Sequence, residues 1–157
     1  MDEPSADNKE PVKVMLVDDD REEQEIFAEA IDKTHIPAEL TTANNGQQLM
    51  DKLHDPNEPN PDVIFLDINM PVKDGKEALK EIKSDEDLKD IPTVIYTASN
   101  SEKDIEDTYR AGANLYVTKP VSFKGLVNII RKILTLNWKK YLPKPIRELF
   151  FVSEKDI

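Results

Sequence analysis

Five side chains in this sequence could do chemistry together: Asp18, Asp19, Asp67, Thr97 and Lys119. Each stands at or just beyond the end of an apolar run rich in β-forming residues. Three carboxylates brought into one crevice repel strongly. A hard divalent cation offsets that repulsion, and Mg²⁺ takes oxygen ligands while keeping several waters. A hydroxyl and an ammonium are the groups that hold the oxygens of a transferred phosphoryl, a reaction catalysed mostly by positioning and charge stabilisation. Asp67, the one carboxylate at the end of its run, is then the nucleophile that forms an acyl phosphate. Taken singly, each residue has an ordinary reading. Asp18 to Asp20 could cap a helix, Asp67 could close a turn, and Lys119 could be a solvated charge. The conjunction of acid, acid, hydroxyl and amine on successive strand ends is what points to a site.

The elements that must position these groups follow from periodicity. Residues 12–17 form a β-forming run stopped by Asp18-Asp19-Asp20, and 63–67 form a second, wholly apolar until its final acid, so both read as strands with helices over both faces. Strands are also predicted at 38–43, 93–97 and 113–117. Helices are predicted at 21–33, 47–53, 77–83, 101–111 and 122–137, with apolar residues at helical spacing. Ser101 and Asp104 have the spacing of a capping box. The proline-rich stretch 54–61 and the Met70-Pro71, Asp74-Gly75 steps read as loops. The result is β-α repeated five times, an α/β doubly wound parallel sheet with the flavodoxin-like order 2-1-3-4-5. In such a sheet the site lies beyond the carboxyl ends of the strands, at the switch point between strands 1 and 3. Residues 1–11 read as a disordered acidic lead, 12–137 as the domain, and 138–157 as a tail.

The motifs Val17-Asp18-Asp19, Asp67-Ile68-Asn69-Met70-Pro71 with Asp74-Gly75, Thr97-Ala98, Ala111-Gly112-Ala113 and Tyr116 before Lys119-Pro120 resemble those of the receiver domains of two-component response regulators. The likeness runs from Val12 to about Leu136. The loop at 55–61, the Ser99-Asn100 step and Trp138 look most like the small single-domain receivers that partner bacterial phytochromes and other sensor kinases. The resemblance implies that Asp67 accepts phosphate from the phosphohistidine of a sensor histidine kinase. It implies Mg²⁺ bound through Asp19 and Asp67, with Asp18 nearby through water and Asn69 through its main-chain carbonyl. Lys119 and Thr97 would contact the phosphoryl, and Tyr116 would change rotamer with Thr97. The chain would be a phosphoacceptor signalling protein rather than an enzyme with a separate substrate.

Composition narrows the alternatives. Lysine and arginine number 21 against 32 acids, a net charge of −11, which disfavours binding nucleic acid through its phosphates. With no cysteine there is no disulfide, thiolate metal site or thiol nucleophile, which fits a cytoplasmic protein. No apolar run approaches the roughly 18 residues of a membrane span. A haloacid-dehalogenase-type phosphatase with Asp18 as nucleophile and Asp20 as second acid competes on spacing. A flavin module is disfavoured because Asp18-Asp19-Asp20 would repel its phosphate. A relay intermediate that passes phosphate onward remains open within the receiver reading.

Few residues follow the last predicted helix, so output is expected through the domain's own surface. That helix is expected to bury Phe123, Leu126, Val127, Ile130 and Leu134. Ile129, Ile133 and Leu136 would form a second, exposed stripe, a candidate interface for a homodimer or a kinase. Ile146, Leu149 and Phe150 repeat at helical spacing and are expected to dock, on this chain or on a second copy.

Overall fold

The computed structural model describes residues 10–70 and 73–153. Most of the expected lead, together with Pro71 and the last four residues, lies outside the described residues. The elements alternate: β1 (Val12–Val17), α1 (Arg21–Thr34), β2 (Ala38–Ala43), α2 (Gly46–Leu53), β3 (Val63–Leu66), α3 (Gly75–Ser84), β4 (Thr93–Thr97), α4 (Glu102–Arg110), β5 (Leu115–Thr118) and α5 (Phe123–Leu134). A single 3₁₀ turn, Trp138–Lys140, then leads to α6 (Arg147–Phe150) and β6 (Phe151–Val152).

Period-two alternation along the strands divides the interior into two layers. Met15, Val17, Ile64, Leu66, Ile95 and Tyr116 face α2, α3 and α4, meeting Leu49, Leu79, Ile82 and Ile105. Val14, Leu16, Phe65, Val94, Tyr96 and Val117 face α1 and α5, meeting Phe27, Ile31, Leu126 and Ile130. Phe27, Phe65 and Tyr96 pack edge to face with centroids 5.0 to 6.1 Å apart. The helices begin on side-chain caps: Asp20, Asn45, Asp74, Ser101 and Ser122 each accept the backbone N–H three residues on. The Ser101 half of the expected capping box is present. Its Asp104 carboxylate accepts instead from the Ser99 hydroxyl at 2.5 Å.

The sheet is parallel in the order β2-β1-β3-β4-β5-β6. The expected order of five strands is present, with a sixth strand added by the tail. Tyr116 pairs with Phe151 and Val117 with Val152. The tail thus docks on its own chain. Phe150 is fully buried, its ring 5.0 Å from that of Tyr109 and 6.1 Å from that of Tyr116. The Tyr109 hydroxyl donates to the Pro145 carbonyl at 2.9 Å. Asn114, also fully buried, is the anchor. Its Oδ1 accepts from Thr93 N–H and Lys83 Nζ, and its Nδ2 donates to the carbonyls of Tyr141 and Pro143.

The second stripe of α5 is corrected by this packing. Ile129 and Ile133 are buried, at 0% and 1% exposure, because α5 lies against both the sheet and α1 and so buries a face wider than one stripe. Leu136 is half-buried and packs against the same cluster. These residues are core, and no dimer surface can be built on Ile129 and Ile133. Conversely Phe123, expected inside, is 43% exposed at the first turn of α5.

Two outcomes test this packing. Phe150→Ala should cost about 3–5 kcal/mol in urea unfolding, the usual cost of emptying a fully buried aromatic site. The second concerns Lys83, whose Nζ donates to the carbonyls of Lys89 and Ile91 as well as to Asn114. Burial pushes this ammonium from 10.5 down to about 8, with the Asp90 charge opposing. Between those values the unfolded chain binds the proton and the folded one does not, so this group's contribution to stability rises with pH. The stability difference between wild type and Lys83→Met, from urea midpoints, should therefore move in favour of wild type between pH 8 and 10.5. The buried tyrosines, present in both proteins, cancel from that difference.

Candidate functional site

The carboxyl ends of β1 and β3 lie side by side, and backbone pairing with a neighbouring strand continues one residue past each. Asp18 N–H donates to the Ala43 carbonyl and Asp67 N–H to the Val17 carbonyl, both at 3.0 Å. That fixes the two Cα positions. Asp18 and Asp67 are buried and Asp19 is exposed, and one carboxylate oxygen from each of the three lies within 4.8 Å of the others.

The two buried carboxylates are oriented alike. One oxygen of each turns back onto its own loop: Asp18 Oδ1 accepts Asp20 N–H at 2.9 Å, and Asp67 Oδ1 accepts Asn69 N–H at 3.0 Å. The other oxygen faces Lys119, whose Nζ donates to Asp18 Oδ2 at 2.9 Å and Asp67 Oδ2 at 3.1 Å. Lys119 is itself placed by its own N–H, which donates to the Thr97 carbonyl at 2.8 Å. Burial works against its ammonium. The hydrogen bonds to Glu23 and Asp18, and the charges of Asp67 and Asp18, outweigh it and hold the pKa above the ordinary lysine value.

Thr97 is fully buried, and its hydroxyl accepts from Asn69 Nδ2 at 3.4 Å and, at 3.5 Å, from Ser99 N–H. The Tyr116 hydroxyl donates to the Ser99 carbonyl at 2.8 Å. Asp67, Asn69, Thr97, Ser99 and Tyr116 are thus linked by consecutive hydrogen bonds, and the Tyr116 ring is covered by Phe150 and Phe151. All the residues singled out for the site come together at this edge of the sheet. The second acid of the phosphatase alternative does not: the Asp20 side chain caps α1 by accepting from Glu23 N–H.

One partner was missed. Glu23 Oε1 accepts from Lys119 Nζ at 2.6 Å, the shortest of the three contacts to that ammonium. No sequence signal marks it, since α1 also carries Glu22, Glu25, Glu29 and Asp32. Beside it, a cavity of 520 Å³ opens between α1 and the start of α5, lined by Glu23, Ile26, Tyr96, Lys119 and Phe123. Ile26 and Phe123 face this opening rather than the core, at 44% and 43% exposure.

Residues 14–131 match the response regulator receiver domain. The chain belongs to that family. It is 35% identical over 133 residues to the response regulator Rcp1 of Synechocystis sp., covering 82% of this chain and 90% of that protein. It is 30% identical over 124 residues to the polar-differentiation response regulator DivK of Brucella anthropi, covering 79% and 97%. Among solved structures, the phosphorylated cyanobacterial phytochrome response regulator RcpA superposes with a TM-score of 0.73 at 35% identity, covering 84% of this chain and 94% of that one. The Mn²⁺-bound form of Rcp1 gives the same score and identity over 80% and 94%. The receiver, with its two-component signalling context, is therefore the class of this protein, and the phosphatase and flavin alternatives fall away. Among the described residues no helix is long and apolar enough to cross a membrane.

The loop after Asp67 depends on one glycine. A Cβ on Gly75 would meet the Asp67 carbonyl oxygen at 2.2 Å and Ile68 Cα at 2.6 Å, so α3 starts pressed against the backbone of the candidate phosphoacceptor. Gly75→Ala forces that backbone to shift. It should cost about 1–3 kcal/mol of stability, as overpacking does, and should perturb the Asp67 and Asn69 amide resonances more than those of β5 in an NMR spectrum.

Proposed function

We propose that this receiver is a phosphorylation switch in which Asp67 accepts a phosphoryl group from a phosphohistidine of a sensor histidine kinase. The observation that carries the reading is the convergence of Asp18, Asp19 and Asp67 around the Lys119 ammonium, with the Thr97 hydroxyl on the adjacent strand end. An oxygen of Asp67 attacks phosphorus, the P–N bond of the phosphohistidine breaks, and its electron pair leaves with the imidazole. Lys119 and Thr97 receive the phosphoryl oxygens. Later attack by water releases inorganic phosphate and restores the carboxylate.

The donor set fits a divalent cation, since three carboxylate oxygens within 4.8 Å form a hard, oxygen-only cluster. Asp19 and Asp67 would hold Mg²⁺ directly, Asp18 through water, and Asn69 through its main-chain carbonyl. When bound, the cation supplies positive charge between the carboxylates and the incoming phosphoryl. Mn²⁺ in the Rcp1 structure and phosphorylation of RcpA support both halves of this reading.

Phosphorylation would be transmitted along the hydrogen-bonded series that begins at Asp67. A phosphoryl oxygen can only accept, so the Thr97 hydroxyl must turn to donate to it. That disturbs the Ser99 peptide held by the Tyr116 hydroxyl. The changed surface is then the one around Tyr116, α4 and the tail. The relative described as a phytochrome response regulator supports a photoreceptor kinase as partner, and a chain without cysteine fits the reducing cytoplasm.

Acetyl phosphate with Mg²⁺ should add one phosphoryl mass to the wild type and none to Asp67→Asn. Full labelling of Asp67→Asn would refute the assignment. Asp19→Ala should abolish Mg²⁺ binding by titration and labelling with it, whereas Asp20→Ala, which loses only a helix cap, should retain both.

A further inference from the structure

We infer that Glu23 is a positioning residue of this site: a fourth carboxylate that holds the Lys119 ammonium in the resting protein and thereby shortens the life of a phosphoryl group on Asp67. The inference rests on the phosphoacceptor reading of Asp67 and extends it to a residue outside the strand ends.

An ammonium has three N–H donors. Those of Lys119 go to Glu23 at 2.6 Å, Asp18 at 2.9 Å and Asp67 at 3.1 Å, which uses all three. A phosphoryl on Asp67 takes over the donor that Asp67 Oδ2 now holds at 3.1 Å, the longest of the three contacts, and the ammonium must shift toward the phosphoryl oxygens, which pulls it away from Asp18 or Glu23. Asp18 is the costly one to release, being 1% exposed with its other oxygen already committed to Asp20 N–H. Glu23 is the cheap one: its side chain is 42% exposed, and water can replace the lysine. The contact with Glu23 is therefore the one that breaks when the lysine turns to phosphate and re-forms when phosphate leaves.

Two effects of Glu23 have the same sign. It competes with the phosphoryl for Lys119, and its charge, held by α1 beside the crevice, repels a second anion arriving there. Its position is not adventitious. Asp20, the cap of α1, accepts the Glu23 backbone N–H at 3.2 Å, so the cap that starts the helix also aims this side chain at the strand-5 lysine.

The test compares wild type, Glu23→Gln and Glu23→Asp, each phosphorylated with acetyl phosphate and Mg²⁺ and then freed of the donor. Decay of the phosphoprotein is followed by mass spectrometry, with the label mapped to Asp67. Glu23→Gln should decay about threefold more slowly than wild type, the factor a partly exposed ion pair is worth. The gap should narrow toward 1 M salt, where the screening length falls to about 3 Å. Glu23→Asp keeps the charge but withdraws it from Lys119 by one methylene, so it should decay more slowly than wild type too. A purely structural role for Glu23 would not give a salt-dependent gap. Equal decay of Glu23→Gln and wild type, a gap indifferent to salt, or wild-type decay in Glu23→Asp overturns the inference while leaving Asp67 as phosphoacceptor. Absence of label at Asp67 in all three proteins overturns the phosphoacceptor reading, and the role of Glu23 falls with it.

Discussion

The interaction on which this edge of the molecule depends is the ion cluster at Lys119. One ammonium touches the carboxylates of Asp18, Glu23 and Asp67, and Asp19 lies within the same acidic group. Without the lysine, two buried carboxylates would face each other across the β1–β3 gap, an arrangement whose desolvation cost is several kcal/mol per unpaired ion. Lys119 compensates part of that charge and leaves an excess of negative charge. The excess is what a divalent cation can use. Fold stability and cation affinity are thus opposed here, and the number of acids around a single amine sets the balance between them.

Everything else in the architecture serves to place that cluster. A parallel sheet brings all its strand ends to one side, so residues far apart in sequence meet without any long loop. Asp18 and Lys119 are separated by 101 positions and hydrogen-bonded at 2.9 Å. Backbone pairing does the aiming: the amides of Asp18, Asp67 and Lys119 each donate to the carbonyl of an adjacent strand. On the α3 side the aim is steric, because only a residue without a side chain fits between the start of α3 and the Asp67 peptide. The site is therefore fixed by backbone pairing at Asp18 and Asp67 and open at the cavity beside Glu23.

The core of the sheet and the site residues were legible in the sequence for the same reason. Strands covered on both faces must be apolar throughout, so an acid at the end of one stands out; Val63–Leu66 followed by Asp67 cannot be mistaken for a surface segment. The last helix was harder. Ile129 and Ile133 read as a surplus stripe because periodicity gives the width of an apolar face but not how many elements cover it. In the fold α5 touches both the sheet and α1, and the surplus is consumed. Phe123 misled in the opposite direction, since a residue in the first helical turn can project past the edge of the layer beneath it.

That the tail docks was legible from Phe150, but its pairing as β6 and the role of Glu23 were not, for a different reason. Two-residue β6 has no periodicity to detect, and its place is decided by contacts of high sequence separation: Phe151 against Tyr116, and the Asn114 amide against the carbonyls of Tyr141 and Pro143. Asn114 illustrates the point. In sequence it falls inside the strand expected at 113–117. In the fold it lies in the turn before β5, and both ends of its amide are satisfied, one by Thr93 and Lys83 and the other by the tail. A fully buried amide tolerates this only when every donor and acceptor is matched. This polar residue therefore fixes the segment that covers Tyr116. The same physics makes Glu23 visible only in three dimensions: on a helix of many acids nothing marks it, and its significance lies in the one ammonium it reaches.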